Sequence, residues 1–423
     1  MGSLAKLILW EPDVVQAGYH PRAMLQVEEA QARVMAEVVP GPVESVALGE
    51  AHGRVLREDV FATHDLPPFD NSAMDGYAVR AEEIADAPVR LPVAGDIPAG
   101  HPSTHPLAPG TAMRIMTGAY VPEGADTVVQ VELTDAGMET VTIHKTLRRG
   151  ANVRRRGEDM RSGDLVLRAG SIIGPAELAV LASVQKMAIH VGRRPTVAIL
   201  STGDELVDAG TAREAGQIVN TNGPLLAALV REAGAIARPL GIVRDTRDAT
   251  IAALQTALES DFVISSGGVS VGAFDFVKEA LEAIGAETKF WRVAMKPGKP
   301  VVLSRFNDRL IFGLPGNPVS CFVSFHLFVR PALRRYAGEE GRLFAPAVRM
   351  RMLSPLKSLG DRRVYVRVQV DAVDGELVAR PLTAQGSGSL TSMLNANGLA
   401  IVEQGVTRIE EGAQAPVLLL SMR

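Results

Sequence analysis

Among 423 residues the chain has a single cysteine, Cys321. It cannot form an intrachain disulfide, and its apolar surroundings, "VSCFVSFHLFV", point to a buried structural thiol in a reducing compartment, so a cytoplasmic protein is expected. No apolar run approaches the length of a membrane-spanning helix, and the N-terminus lacks the positive, apolar, small-residue order of a signal peptide. The opening "MGSLAK" has Lys6 where a myristoylation pattern calls for Ser or Thr. No basic excess is present either. A formal net charge of -4 and a pI near 6.1 argue against nucleic acid as the main partner. There is no Walker A loop and no G-x-G-x-x-G. His101 and His105 each precede a proline, so they cannot share a helical face as metal ligands. Internal repeats and low-complexity segments are absent.

What remains is an ordinary globular composition, 47% hydrophobic and 22% charged, in a chain too long for one core. Apolar residues recur at helical spacing from about Pro21 to Glu58. Between Thr63 and Asp159, prolines and glycines punctuate short β-like runs such as "TAMRIMTG", "DTVVQVE" and "ETVTIHKT". Helical "PAELAVLASV" follows, and "GRRP" marks a boundary. From Thr196 strands and helices alternate, which predicts a mostly parallel sheet covered on both faces. After Phe344 the period is two, with Asp374-Gly375 as a hairpin turn. The expected fold is therefore multidomain α/β plus β. An elongated, discontinuous helical segment spans 17–62 and 160–194, and a β-rich insert spans 63–159. A three-layer α/β/α domain covers 195–338, and a C-terminal β domain covers 339–423.

Ligands of open parallel sheets bind beyond the carboxyl ends of the strands. Three such ends are rich in small and polar residues: Ser201, Thr202, Gly203, Asp204 and Glu205; Ser265, Ser266, Gly267 and Gly268; and Gly313, Pro315, Gly316, Asn317 and Pro318. Glycines and hydroxyls let backbone amides approach a phosphate or polar ring, and Asn317 as N-cap with Pro318 at the first helical position would aim free amides outward. The same edge carries Glu205, Asp245 and Asp275, which would repel a bare phosphate. A divalent cation such as Mg²⁺ between carboxylate and phosphate resolves that conflict. Lys296 and Lys299 in "MKPGKP" add positive charge. Taken singly, each loop also reads as an ordinary turn.

A rival reading lies in Gly268-Val269-Ser270-Val271-Gly272, which matches the G-x-S-x-G elbow of α/β hydrolases. The one downstream histidine, His326, sits in an apolar run and reads as a core residue, and no HGGG-type oxyanion segment is present. Two loops complete the inventory. "PPFDNSAMDGYAV" reads as a specific turn or binding loop, and "RRRGED" as a solvated charged surface.

Together, "FDNSAMDGYAV", "RIMTGA", "RRRGEDM", "STGDEL", "VISSGGVSVG", "KPGKP" and "GLPGNPVS" resemble the molybdopterin molybdenumtransferase family, which includes the E domain of gephyrin. The resemblance covers nearly the whole chain. It implies four subdomains and a homodimer whose cleft lies between the α/β domain of one subunit and the β-rich insert of the other. The implied reaction cleaves adenylylated molybdopterin, releases AMP and inserts molybdenum from molybdate to give molybdenum cofactor. Asp75, Thr117, Asp159, Glu205, Asp245, Asp275, Lys296 and Ser387 match its functional positions. Ser201 to Asp204, Ser266 to Ser270, Pro315 and Gly316 to Pro318 are expected to bind substrate. Lys299, Pro300, Arg362 and Ser387 are expected near molybdate, and Glu205 and Asp275 at Mg²⁺. Implied partners are a molybdopterin adenylyltransferase, met transiently, and acceptor molybdoenzymes. Arg292 stands where the family often has Lys, and Val364 where an acid often precedes the aromatic residue. A non-catalytic molybdopterin-binding scaffold is the alternative function, and tungstate the alternative oxyanion.

Overall fold

The computed structural model describes residues 24–268, 276–341 and 343–420. It divides the chain into two compact units. One holds the chain up to Glu58, Ala169–Gly174 and everything from Ala188 onward. The other holds Asp59–Arg168 and Pro175–Met187.

In the first unit helix α1, Val27–Glu37, buries Ala30 and Val34. The helical pattern read from Pro21 to Glu58 is thus shorter than the spacing suggested. Pro40-Gly41-Pro42 stops it, because proline removes a helical donor. The next segment, Val43–Ala47, is a strand paired antiparallel with Ala188–Gly192.

The α/β layer follows from Thr196. Its strands and helices are β1 Thr196–Thr202, α2 Asn222–Glu232, β2 Ile236–Val243, α3 Arg247–Ala257, β3 Phe262–Ser266, α4 Phe276–Ala283, β4 Glu287–Phe290, β5 Val302–Phe306, β6 Arg309–Leu314 and α5 Pro318–Ser324. The sheet order is β2-β1-β3-β6-β5-β4. β2, β1, β3 and β6 are parallel, while β5 and β4 add an antiparallel edge. Side-chain alternation sets the layers. Val197, Ile199, Phe262, Ile264, Leu310 and Phe312 join α1 and α2 in one core. Ala198, Leu200, Val263 and Ile311 join α3 and α4 in the other. Helix α5 runs on through a π-helical turn, Phe325–Val329, into a last helical segment, Arg330–Tyr336.

At the amino ends of these strands a buried carboxylate gathers them. Asp261 accepts from Thr196 N–H at 2.8 Å, Thr196 Oγ1 at 2.9 Å, Arg193 Nη2 at 2.6 Å and Tyr336 Oη at 3.0 Å. Burial works against its ionisation, but Arg193, Thr196 and Tyr336 outweigh that and hold the carboxyl below the usual range. Burial first, and then the Asp261 carboxylate, push the Tyr336 phenol up to about 12 against the opposing charge of Arg193.

The C-terminal strands Ala347–Met352, Arg363–Val373, Glu376–Pro381, Gly398–Val402 and Gln414–Leu419 close into a small barrel, since Arg363–Val373 pairs with both Glu376–Pro381 and Gly398–Val402. Its interior is Met350, Met352, Val366, Val368, Ala400 and Val417. Asp374 and Gly375 both have positive φ, 51° and 80°, as an Asp-Gly hairpin turn of this type requires.

The second unit carries a five-stranded sheet ordered Thr127–Gln130, Gly76–Val79, Ala112–Ile115, Val89–Ile97, Thr140–Ile143. The three β-like runs read in this region are strands here. Gly76 is required by packing: a Cβ there would lie 1.9 Å from the Val129 carbonyl oxygen. Helix Pro175–Ser183 also falls in this unit.

Asp261→Ala leaves Arg193 without its buried partner and is expected to cost about 3 kcal/mol, read as a lower urea midpoint. Because the folded carboxyl is depressed, its stabilisation is present above the ordinary value of 3.8 and lost as pH falls through the folded value. The variant's acid limb should accordingly be flatter than that of the parent.

Candidate active site

Above the carboxyl ends of β1, β3 and β6, neighbouring strands of the sheet, lies a cleft of about 660 Å³. The chain passes from β1 outward to β2 and returns on the other side to β3. The cleft therefore opens at the point where strand order reverses, where loops part to leave a crevice. Ser201, Thr202 and Glu205 line it from β1; Ser266, Gly267 and Gly268 from β3; and Pro315, Gly316, Asn317 and Pro318 from β6. Asp245 and Pro300 also line it. The convergence read from the three strand ends is present.

The glycines here answer to geometry. Gly267 has φ +95°, and a Cβ would meet the Thr202 carbonyl oxygen at 2.6 Å. Gly203 has φ +152°, with Glu205 Oε2 lying 2.6 Å from where its Cβ would be. Both let chain and carboxylate fold tightly against the cleft rim.

On one edge the acids crowd together. Asp204 Oδ1 accepts the Asp245 N–H at 3.1 Å. The Asp245 carboxyl is raised above its ordinary value, first by burial, then by the negative charges of Asp204 and Glu205. No group of three or more acidic, His or Cys side chains is poised to hold a metal ion among the described residues. Glu205 and Asp245 are the carboxylates that line the cleft, and a divalent cation that took its other ligands from phosphate and water would need only one or two of them.

Asn317 occupies the N-cap position with Pro318 behind it, but its side chain makes no cap. Its Nδ2 instead donates to Ser387 Oγ at 3.1 Å, and the Val319 N–H donates to the Ser387 carbonyl at 3.1 Å. The expectation that these amides are all free is corrected, because the first helical N–H groups need acceptors and the 384–388 loop supplies one. That loop is held by the outer face of barrel strand Arg363–Val373, opposite the interior Val366 and Val368. Fully buried Arg367 donates from Nε to Ser392 Oγ at 2.9 Å and from Nη2 to the carbonyls of Ala384 and Gly386 at 2.8 and 3.2 Å.

Sequence reasoning missed Asn220, Thr221 and Asn222, which line the cleft from the start of α2. Asn220 Oδ1 accepts from Ser201 Oγ at 3.1 Å and from the Gly223 N–H at 3.0 Å. Asn222 Nδ2 donates to Ser266 Oγ at 2.8 Å and the Gly316 carbonyl at 2.6 Å, tying β1's following helix to β3 and β6. The available signal was "NTNGP", two carboxamides at a helix start directly after an apolar pair. The short parallel pair Leu206–Val207 with Ile218–Val219 also lines the cleft and was not foreseen.

Other candidates lie elsewhere. Lys296, Lys299 and Arg362 are not among the described lining residues. Lys296 sits in a two-residue strand beside Arg363 and Val364, the Lys299 carbonyl accepts the Val293 N–H, and Arg362 pairs with Asp361 at 2.9 Å. Asp75, Thr117 and Asp159 belong to the second unit. There Asp75 Oδ1 accepts from the Thr117 N–H at 2.6 Å and Thr117 Oγ1 at 2.7 Å, and these bonds hold its carboxyl below the usual range. The "RRRGED" arginines, read as a solvated surface, also brace the neighbouring loop. Arg155 pairs with Asp70 at 2.6 Å and Arg156 with Asp65 at 2.5 Å. Val269, Ser270 and Asp275 lie outside the described residues. His326 is buried against Phe322, with a pKa driven down to about 3 by burial, and the buried Cys321 thiol is pushed up to about 12. Both are core residues.

Asp245→Asn removes a carboxylate that the fold ionises reluctantly. A raised carboxyl pKa penalises the folded state as pH climbs from the ordinary value of 3.8 through the folded value, and the penalty is complete above it. The variant should therefore melt higher than the parent at pH 7, with the gap closing toward pH 3.8. Thermal denaturation across that range checks both the sign and the closure.

Family models match along the chain in order: "MoeA N-terminal region (domain I and II)" over residues 25–184, "Probable molybdopterin binding domain" over 198–335, and "MoeA C-terminal region (domain IV)" over 349–420. The described residues lining the cleft lie in the segment matched by the second, except Gly388, which lies in the third. A molybdopterin molybdenumtransferase of Bacillus subtilis is 39% identical over 94% of this chain and 95% of its own length. Molybdopterin molybdenumtransferase 2 of Mycobacterium tuberculosis is 41% identical over 93% and 99%. The crystal structure of a molybdopterin biosynthesis MoeA protein from Pyrococcus horikoshii superposes with a TM-score of 0.77 at 32% identity, covering 95% of this chain and all of that one. With the motifs, the fold and relatives that match along almost their entire length in agreement, the chain belongs to the molybdopterin molybdenumtransferase family, transferases of molybdenum cofactor biosynthesis.

Proposed function

We propose that the chain cleaves adenylylated molybdopterin, releases AMP and inserts molybdenum from molybdate to give molybdenum cofactor. The observation that carries this reading is the cleft itself. Close-approach glycines at Gly267 and Gly268 stand at one side, and the acids Glu205 and Asp245 stand at another. Such a site pairs a surface for a polar ring or phosphate with an edge that is too negative to hold a phosphate without a cation.

Glu205, with Asp275, would hold Mg²⁺. When bound, the ion supplies neutralising charge to the phosphoanhydride oxygens and so makes AMP a better leaving group. The chain's own residues bind and orient. Gly267 and Gly268 bring backbone close to the ligand, and the Gly203 turn sets Glu205 at the rim. Ser387, fastened to Asn317 and Val319, fixes the opposite wall. Lys299, Pro300, Arg362 and Ser387 are proposed for the oxyanion, and Asp75, Thr117, Asp159 and Lys296 for catalysis. We further propose a cytoplasmic homodimer, with a molybdopterin adenylyltransferase and acceptor molybdoenzymes as transient partners. Among the described residues no helix is long and apolar enough to cross a membrane.

The test incubates purified protein with adenylylated molybdopterin, Mg²⁺ and molybdate, following AMP release and reconstitution of a cofactor-free molybdoenzyme. Turnover should vanish when Mg²⁺ or molybdate is omitted, and tungstate in place of molybdate reports oxyanion preference. Glu205→Gln should lower AMP release at least about tenfold. Tight binding of the nucleotide without AMP release would replace this reading with a molybdopterin-binding scaffold.

A further inference from the structure

Asn222 is held in an orientation that chemistry alone fixes. Its Nδ2 donates to Ser266 Oγ and to the Gly316 carbonyl, at 2.8 and 2.6 Å. A backbone carbonyl only accepts, so turning the amide over would set Oδ1 against the Gly316 oxygen. Both amide hydrogens are thereby committed within the protein. Oδ1 is left buried, with no protein partner, on a residue only 8% exposed that lines the cleft. A buried acceptor without a donor is destabilising, and such atoms recur where a ligand completes the bond.

The identity of that ligand group follows from the same chemistry. Ionised phosphate and molybdate offer acceptors and would be repelled by Oδ1. An amino or ring N–H of a nitrogen heterocycle supplies the missing donor. We infer that Asn222 reads the donor edge of the pterin ring, its Oδ1 accepting an N–H of the 2-amino group, so that the phosphate arm points away from the start of α2. This rests on the reading under Proposed function, in which the cleft takes a molybdopterin nucleotide. Adenine carries an amino group too, so the two heterocycles share the recognising chemistry and the experiment must part them.

The measurement is titration calorimetry on the full chain, without Mg²⁺, using two pairs of probes. Pterin is compared with pteridin-4-one, which lacks the 2-amino group, and AMP with inosine monophosphate, which lacks the 6-amino group. The wild type should favour pterin over pteridin-4-one by roughly tenfold, the scale of one buried hydrogen bond, and treat the two nucleotides alike. In Asn222→Ala and Asn222→Ser the pterin preference should collapse to about one while the two nucleotides still bind equally. The ratio within one protein is read, so a general loss of affinity does not mimic the effect, and circular dichroism confirms the fold. Pterin binding with no preference in the wild type overturns this inference alone. A preference for AMP over inosine monophosphate that Asn222→Ala abolishes overturns it in favour of adenine. Failure of the wild type to bind pterin at all overturns the functional reading, and this inference with it.

Discussion

The cleft depends on a carboxylate at the opposite end of the sheet. Asp261 collects the amino end of β1 through Thr196, starts β3 itself, and takes the far end of the last helix through Tyr336. Parallel strands can slide in register, and a one-residue slip reverses every side chain between the two cores. Fixing the starts of β1 and β3 against one buried charge therefore fixes where they finish. Ser201 falls opposite Ser266, and Ser266 opposite Leu314 on β6. From that alignment Asn222 can reach both Ser266 and the Gly316 carbonyl with a single carboxamide.

The two sides of the cleft are made differently. One is a bonded scaffold in which Asn222 donates to Ser266 and Gly316 and Asn317 to Ser387, with Arg367 steadying the last loop from the outer face of the barrel. The other is electrostatic, with Asp245 lifted by burial and by Asp204 and Glu205. A hydrogen-bonded wall beside an acidic rim is a site whose binding energy is completed by what enters it.

Much of this was legible in the sequence because strand ends in an open α/β sheet carry function, and STGDE, SSGG and LPGNP announce themselves by composition. The Asp-Gly hairpin and the buried Cys321 and His326 were legible for equally local reasons. Other features rest on long-range geometry. Spacing alone extended α1 through residues that Pro40-Gly41-Pro42 turn into a strand. Nothing near Asn222 in the chain says that its partners lie 44 and 94 positions away. Arg367 alternates like its neighbours on the strand, and only the 384–392 segment folded against it makes it a buried anchor. The arginines of "RRRGED" looked solvated because their partners Asp65 and Asp70 stand far back in the chain.

The central claim is that the carboxyl ends of β1, β3 and β6 form the site of this transferase. Amide hydrogen exchange read by mass spectrometry, with and without AMP and Mg²⁺, tests it directly. The account predicts slowed exchange confined to peptides covering residues 201–206, 218–223, 266–268 and 315–320. Protection that leaves these segments unchanged and appears elsewhere in the chain would contradict it.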